Sequence, residues 1–184
     1  MLWNAAVLRM PPFHQPSYAP PDAIVAPGFI DPHVHIVTSA LLSGFINVGA
    51  LVCDTIDDVM AKLKAGAEAA APGAWVMAKG FDPSLTKGNA NITRRELDAV
   101  APNNPLFMLN ASGHLAYVNS KAIELSGVTE ATPDPGAGGH YFKGPDGKLT
   151  GQLAGGTSYA PFLRLAPQST PQSLQPIAVS PIKK

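Results

Sequence analysis

Three side chains with metal-binding chemistry lie close together in the segment from Pro27 to His35, which reads PGFIDPHVH. A strand is predicted at about 29–35, and side chains alternate across a strand, so Asp31, His33 and His35 are expected on one face. Neutral imidazoles bind ions such as Zn, Fe and Ni. Asp31 could be a further ligand, but we favour a hydrogen bond that orients an imidazole. The spacing predicts a divalent-metal site, with two loop histidines as the alternative.

Helices that could position this segment have clear start and stop signals. Thr55 with Asp58 has the spacing of a capping box, which predicts a helix over 55–71. Thr93 with Glu96 is a second capping box, and that helix is expected to end before Pro102 because the residue before a proline avoids helical geometry. A third helix is predicted at about 120–125, with Asn119 as its N-cap and Gly127 as its C-terminal cap.

Short apolar runs between these helices predict strands at 75–79 and 106–110. Strands that alternate with helices indicate parallel βα units and therefore an α/β fold. With 29–35 as the first strand, three inner strands are expected. Residues 138–153 read as a hairpin around a Gly-Pro-Asp-Gly turn.

Proline marks both ends of the chain as irregular. Residues 9–22 contain five prolines in 14 positions, and residues 161–184 contain five more without helical or strand periodicity. Proline lacks a backbone donor, so such stretches disfavour paired structure. We therefore expect a proline-rich lead-in over 1–22, a domain over 23–160 and a disordered tail over 161–184.

Composition excludes several classes of function. The 13 Lys and Arg residues balance the 13 Asp and Glu residues, so the formal net charge is zero. A neutral chain gives no electrostatic reason to expect binding to nucleic acid. A single cysteine cannot form an internal disulfide, and Arg9 follows the first apolar residues rather than preceding them, unlike a secretory signal. The 18 uncharged residues from Ile36 to Cys53 include six polar or glycine residues, so we expect a buried segment rather than a membrane span. The expected location is cytoplasmic.

Several motifs together resemble a known family. The segment PGFIDPHVH is similar to the first-strand signature of the metal-dependent amidohydrolase superfamily. Further motifs in register resemble the amidohydrolase family 3 branch, which holds YtcJ-like proteins and N-substituted formamide deformylases. They include Trp75-Val76, Gly80-Phe81-Asp82-Pro83, the run from Thr93 to Asp98, Ser112-Gly113-His114, Val118-Asn119-Ser120 and the run from Asp146 to Gly151. The resemblance covers residues 24–153.

The resemblance implies a (β/α)₈ TIM barrel that hydrolyses non-peptide C–N bonds of small amide-type molecules. It implies that His33 and His35 bind a divalent metal, expected to be zinc, with one or two ions in the full-length family. His114 is expected to contact substrate, with metal ligation or a loop histidine as alternatives. Asp82 is expected to line the same pocket or to fix a turn before Pro83.

The same resemblance indicates that the chain supplies only part of a site. A barrel needs about 250 residues, so we expect about three βα units with a hairpin insertion. The family's catalytic Asp is expected beyond this chain, so no catalytic residue is assigned. Two hypotheses remain: an amidohydrolase that is inactive without further polypeptide, and a non-catalytic remnant that binds metal weakly through His33 and His35. Open sheet edges would favour oligomerisation or aggregation.

Overall fold

A mixed six-stranded sheet with helices on both faces organises the described part of the chain. The computed structural model describes residues 35–88 and 91–167. Contacts divide the chain into two units, Met1–His35 and Ile36–Lys184, and His35 is the one described residue of the first. The helices are α1 (Ile36–Leu41), α2 (Ile56–Ala69), α3 (Arg94–Val100), α4 (Ser120–Ser126) and α5 (Gly156–Leu163). The strands are β1 (Ile46–Asn47), β2 (Val76–Phe81), β3 (Leu106–Asn110), β4 (Leu115–Val118), β5 (His140–Lys143) and β6 (Leu149–Ala154).

One half of the sheet is parallel. β1 pairs with β2 and β2 pairs with β3, with α2 and α3 as the connecting helices. Both helices begin at the predicted capping boxes: Thr55 with Asp58 starts α2, and Thr93 with Glu96 starts α3. In each box the threonine hydroxyl and the acidic side chain satisfy backbone N–H groups that the first helical turn leaves without partners.

The other half of the sheet is antiparallel. β4 pairs with both β3 and β6, and β5 pairs with β6, which gives the order β1-β2-β3-β4-β6-β5. The β5–β6 pair confirms the predicted hairpin, and Gly147 in its turn has φ of +74°. β4 was not predicted, because its four residues are too short to show a clear alternation.

The core has two apolar layers, one on each face of the sheet. Alternation along the strands sends Val76, Ala78 and Met108 to the layer that contains residues of α2 and α3. Phe107 and Val118 point to the opposite layer, which contains residues of α4 and α5. Strands buried on both faces read as continuous apolar runs, which is why 75–79 and 106–110 could be predicted.

The predicted end of regular structure at Pro161 needs correction. Regular structure does not end before Pro161, because α5 continues to Leu163, with Phe162 fully buried and Ala166 buried behind it. Pro161 lies inside α5 and has no N–H to donate to the carbonyl four residues earlier, so α5 lacks that helical hydrogen bond. The domain bounds 1–22, 23–160 and 161–184 remain predictions, and residues 1–34 and 168–184 lie outside the described residues.

The uncharged stretch from Ile36 to Cys53 is less buried than expected. It forms α1 and β1 and buries Val48 and Cys53, yet Val37 is 70% exposed and Leu51 is fully exposed. Within the described ranges, no helix is long and apolar enough to cross a membrane.

Candidate functional site

The two predicted substrate-contact residues follow the carboxyl ends of β2 and β3. Phe81, the last residue of β2, is in register with Asn110, the last residue of β3, and its carbonyl accepts a hydrogen bond of 2.8 Å from the N–H of Ala111. Asp82 directly follows Phe81, and His114 lies in the turn between β3 and β4. Polar side chains gathered at the carboxyl end of parallel strands are typical of α/β active sites.

The Asp82 carboxylate is held within its own turn. Its Oδ1 accepts hydrogen bonds of 2.9 Å from the N–H of Ser84 and 2.6 Å from the Ser84 hydroxyl. These bonds, the hydroxyl bond first, lower the pKa of Asp82 because they stabilise the ionised form. The Asp82 carbonyl also accepts a bond from the Thr86 hydroxyl at 2.8 Å. The geometry supports the turn-forming role of Asp82 and leaves Oδ2 without a hydrogen bond from Ser84.

The His114 imidazole is exposed, while the backbone on both sides of it is fixed. The His114 N–H donates to the Ser112 hydroxyl at 3.2 Å, and its carbonyl accepts from the N–H of Gly155 at 3.0 Å. The Tyr159 hydroxyl donates to the Gly113 carbonyl at 3.4 Å. These hydrogen bonds connect the turn to the start of α5. They hold the backbone of His114 in place at the carboxyl end of β3.

Sequence reasoning missed two buried polar groups at this edge, Asn110 and Tyr117. Asn110 accepts a hydrogen bond of 2.8 Å from the N–H of Ser112, and its side chain also bonds the Tyr117 phenol. Burial raises the pKa of Tyr117, the Asn110 bond opposes that rise, and the Asp82 carboxylate adds to it. Asn110 could have been found as the polar residue that ends an otherwise apolar strand.

Of the three residues predicted for the metal site, the structure describes only His35. Asp31 and His33 lie outside the described residues, and so does the predicted strand up to residue 34. His35 is exposed and belongs to neither a helix nor a strand. Over residues 35–88 and 91–167, no three His, Cys, Asp or Glu side chains converge in a way that could hold a metal ion. A catalytic zinc usually needs three protein ligands, so the described residues by themselves do not fit one.

Three further side chains have structural roles. Asn119 is the N-cap of α4, as predicted. Cys53 is a buried free thiol whose pKa is raised, chiefly by burial. His140 Nδ1 lies 2.6 Å from Asp134 Oδ2 at the start of the hairpin.

Sequence comparison with known proteins places most of the chain within one family. The sequence model of the Amidohydrolase family matches residues 22–180, which includes most of the segment predicted as a tail. The N-substituted formamide deformylase of Arthrobacter pascens is 38% identical over 129 residues, which cover 70% of this chain and 24% of that protein. YtcJ of Bacillus subtilis (strain 168), named as an amidohydrolase, is 27% identical over 131 residues, which cover 71% of this chain and 24% of that protein. The chain thus spans 24% of the length of both relatives.

A solved structure supports the fold. The crystal structure of an uncharacterized metal-dependent hydrolase from Pyrococcus furiosus matches 83% of this chain and 28% of its own, with a TM-score of 0.50 and 17% sequence identity. The mixed sheet with helices on both faces defines an α/β fold. The chain belongs to the Amidohydrolase family, which confirms the resemblance seen in its motifs.

Proposed function

We propose that this chain is part of a metal-dependent hydrolase that cleaves amide-type C–N bonds other than peptide bonds in small molecules. The observation that carries the proposal is the family match over residues 22–180. The identity of 38% to a protein named N-substituted formamide deformylase supports the bond type. The substrate within this class is left open, because the chain spans only 24% of that relative.

The proposed architecture is a partial (β/α)₈ barrel. Its support is the parallel order of β1, β2 and β3, their connection through α2 and α3, and the polar residues at the carboxyl ends of β2 and β3. Active sites of such barrels lie at that end of the strands. In the described sheet β1 and β5 are the outermost strands. Unpaired edges of this kind favour association with further polypeptide or with a second copy.

We propose His33 and His35 as ligands of a divalent metal, with zinc as the preferred ion and Asp31 as the partner that orients an imidazole. One or two ions would be present in a complete enzyme. When bound, such a metal lowers the pKa of a bound water and polarises the substrate carbonyl. The support is the His-x-His spacing in the sequence together with the family match.

The described residues contribute to substrate placement. The exposed imidazole of His114 can bind a polar group of the substrate, since its backbone is fixed at both sides. Asp82 positions the neighbouring turn through the hydrogen bonds that its Oδ1 accepts from Ser84, and its Oδ2 accepts none from Ser84. Tyr117 and Asn110 support this edge from the interior.

The isolated chain is proposed to bind metal without turnover. Catalytic zinc sites use three protein ligands and a water, and within residues 35–88 and 91–167 no three His, Cys, Asp or Glu side chains converge as a metal site. The second candidate function, a weak metal binder, rests on the spacing of His33 and His35 in the sequence.

A chimera separates the two candidates. The matched 129 residues of the Arthrobacter pascens deformylase would be replaced by the matching segment of this chain, and formate release from an N-substituted formamide would be measured. We expect turnover by the chimera, loss of turnover in its His33→Ala/His35→Ala variant, and none from the isolated chain. A chimera that folds and binds zinc but releases no formate would contradict the hydrolase proposal and favour the remnant.

A further inference from the structure

A cleft lies between α3 and the β5–β6 hairpin. Its volume is about 740 Å³, and its charged and hydroxyl lining consists mainly of Arg94, Arg95, Asp98, Ser120, Asp146 and Lys148. We refer to it as the α3–hairpin cleft. Small-molecule sites typically have volumes of about 300–1,000 Å³, so the cleft is large enough for a small organic ligand.

The two acidic side chains of the cleft accept hydrogen bonds from other residues of the chain. Asp98 accepts hydrogen bonds from Ser120, at 2.8 Å from the N–H and 2.7 Å from the hydroxyl. Asp146 Oδ1 accepts one from the N–H of Lys148 at 3.1 Å. The hydrogen bonds given for these carboxylates thus come from the Ser120 hydroxyl and from backbone N–H groups, and none comes from a basic side chain of the cleft.

Two of the three basic side chains, Arg94 and Lys148, form no ion pair in the described part of the chain, whereas Arg95 interacts electrostatically with the neighbouring Glu96 carboxylate. The ion pairs seen there involve Lys64, Lys87 and His140, and none includes Arg94, Arg95 or Lys148. Arg94 is partly buried, whereas Arg95 and Lys148 are exposed. Two cations of one cleft without an ion pair among the described residues, Arg94 and Lys148, indicate a site for an anion that is not part of this chain.

The cleft is held rigid by close packing at Gly151. A Cβ at that position would collide with the carbonyl of Val118 and lie 2.9 Å from the Arg94 Cβ, so β6 and the first turn of α3 touch directly. Gln152 Nε2 also donates to the Ile92 carbonyl at 2.9 Å. The backbones that carry Arg94 and Lys148 are thus fixed relative to each other, which reduces the entropy lost when a ligand binds.

The cleft is separate from the candidate active site. Ser120 follows β4, whose last residue Val118 is in register with Phe107 near the amino end of β3. Asn110 and His114 lie at the carboxyl end of the same strand. A ligand in the cleft would therefore act away from the proposed chemistry, and its binding does not depend on the proposed function.

We propose that the α3–hairpin cleft binds a phosphate-bearing small molecule through Arg94 and Lys148, with Arg95 at the rim. Guanidinium groups bind phosphate oxygens in pairs, and lysine adds a point charge. The hydroxyls of Ser120 and Thr150 already donate to Asp98 and to the Phe142 carbonyl. Recognition would therefore depend on the cations rather than on neutral donors.

The test is a calorimetric titration of the full 184-residue chain at constant ionic strength. The probes are inorganic phosphate, adenosine 5′-monophosphate and adenosine. We expect saturable binding of both phosphate-containing probes, tighter for the nucleotide if the rest of the cleft contributes, and none of adenosine. Arg94→Gln/Lys148→Gln should weaken binding at least tenfold, while the matched control Arg164→Gln/Lys64→Gln, which removes an exposed arginine and lysine outside the cleft, should not.

Each other outcome overturns the proposal. Absence of saturable phosphate binding, equal binding in the cleft variant, or equal loss in the control variant would show that the cations act only as surface charge. Lys148→Gln alone serves as a second variant, because Lys148 is exposed and its replacement leaves the packing of Arg94 against Gly151 intact.

Discussion

Asn119 is the residue whose replacement should destabilise the described fold most clearly. Its side chain is fully buried and makes four hydrogen bonds to three separate segments. The Asn119 Oδ1 accepts from the N–H of Leu106 at 2.9 Å and of Ala122 at 3.0 Å. The Nδ2 donates to the carbonyls of Ala101 at 3.1 Å and Asn104 at 2.8 Å. One side chain thus joins the start of β3, the start of α4 and the end of α3.

The magnitude follows from these bonds. Loss of an N-cap costs about 1 kcal/mol, and each of the other three bonds contributes a net ~1 kcal/mol, since the partners remain buried without an acceptor or donor. We therefore expect Asn119→Ala to lower the free energy of unfolding by about 4 kcal/mol, a large fraction of a typical domain's stability of about 5–15 kcal/mol.

Urea denaturation followed by circular dichroism measures this change, with exposed Asn103→Ala as the matched control. The control should change the free energy of unfolding by less than about 0.5 kcal/mol. Asn119→Asp retains both acceptor bonds but places a second oxygen against the carbonyls of Ala101 and Asn104. Only its protonated carboxyl can donate there, so this variant should gain stability relative to wild type as pH falls. A loss below about 1 kcal/mol for Asn119→Ala would refute the cross-link.

Two further predictions concern the hairpin. Gly151→Ala should destabilise the protein by about 3 kcal/mol, because the residue has φ of +87° and no room for a Cβ. Gly147→Ala, with φ of +74° and nothing within 4 Å, should lose only about 1 kcal/mol in the same urea assay; equal losses would contradict the packing argument. Hydrogen bonds lower the pKa of Asp134, first that from the Tyr141 N–H and then that from His140. The ionised Asp134 therefore stabilises the folded protein fully above about pH 4, and this contribution is lost as pH falls through the folded-state pKa. The difference in stability between wild type and Asp134→Asn should accordingly shrink between pH 6 and pH 3, and a constant difference would refute this assignment.

Local signals in the sequence predicted the elements that depend on local chemistry. The capping boxes at Thr55 and Thr93, the N-cap Asn119 and the left-handed Gly127 are found as predicted. These features need only a few neighbouring residues, since caps satisfy the N–H and C=O groups of a single helix end. The hairpin was predictable for the same reason, because its turn chemistry is contained in four residues.

Elements fixed by distant contacts were not predictable. β4 and α5 lack a strong period of their own and are held by pairing with β3 and β6 and by burial of Phe162. The polar pair Asn110 and Tyr117 escaped notice because the two residues meet only once β3 and β4 are paired. For Asp82 the sequence left a pocket role and a turn role open, and its bonds to Ser84 support the turn.

The zinc content of the purified chain tests the central claim most directly. Zinc per chain would be measured by plasma mass spectrometry after equilibrium dialysis against a buffer of fixed zinc concentration, for wild type, His33→Ala/His35→Ala and the control His14→Ala/His140→Ala, which also removes two imidazoles. We predict bound zinc in wild type and control and its loss in the His33→Ala/His35→Ala variant. Equal zinc in all three proteins, or none in wild type, would contradict the proposed metal site.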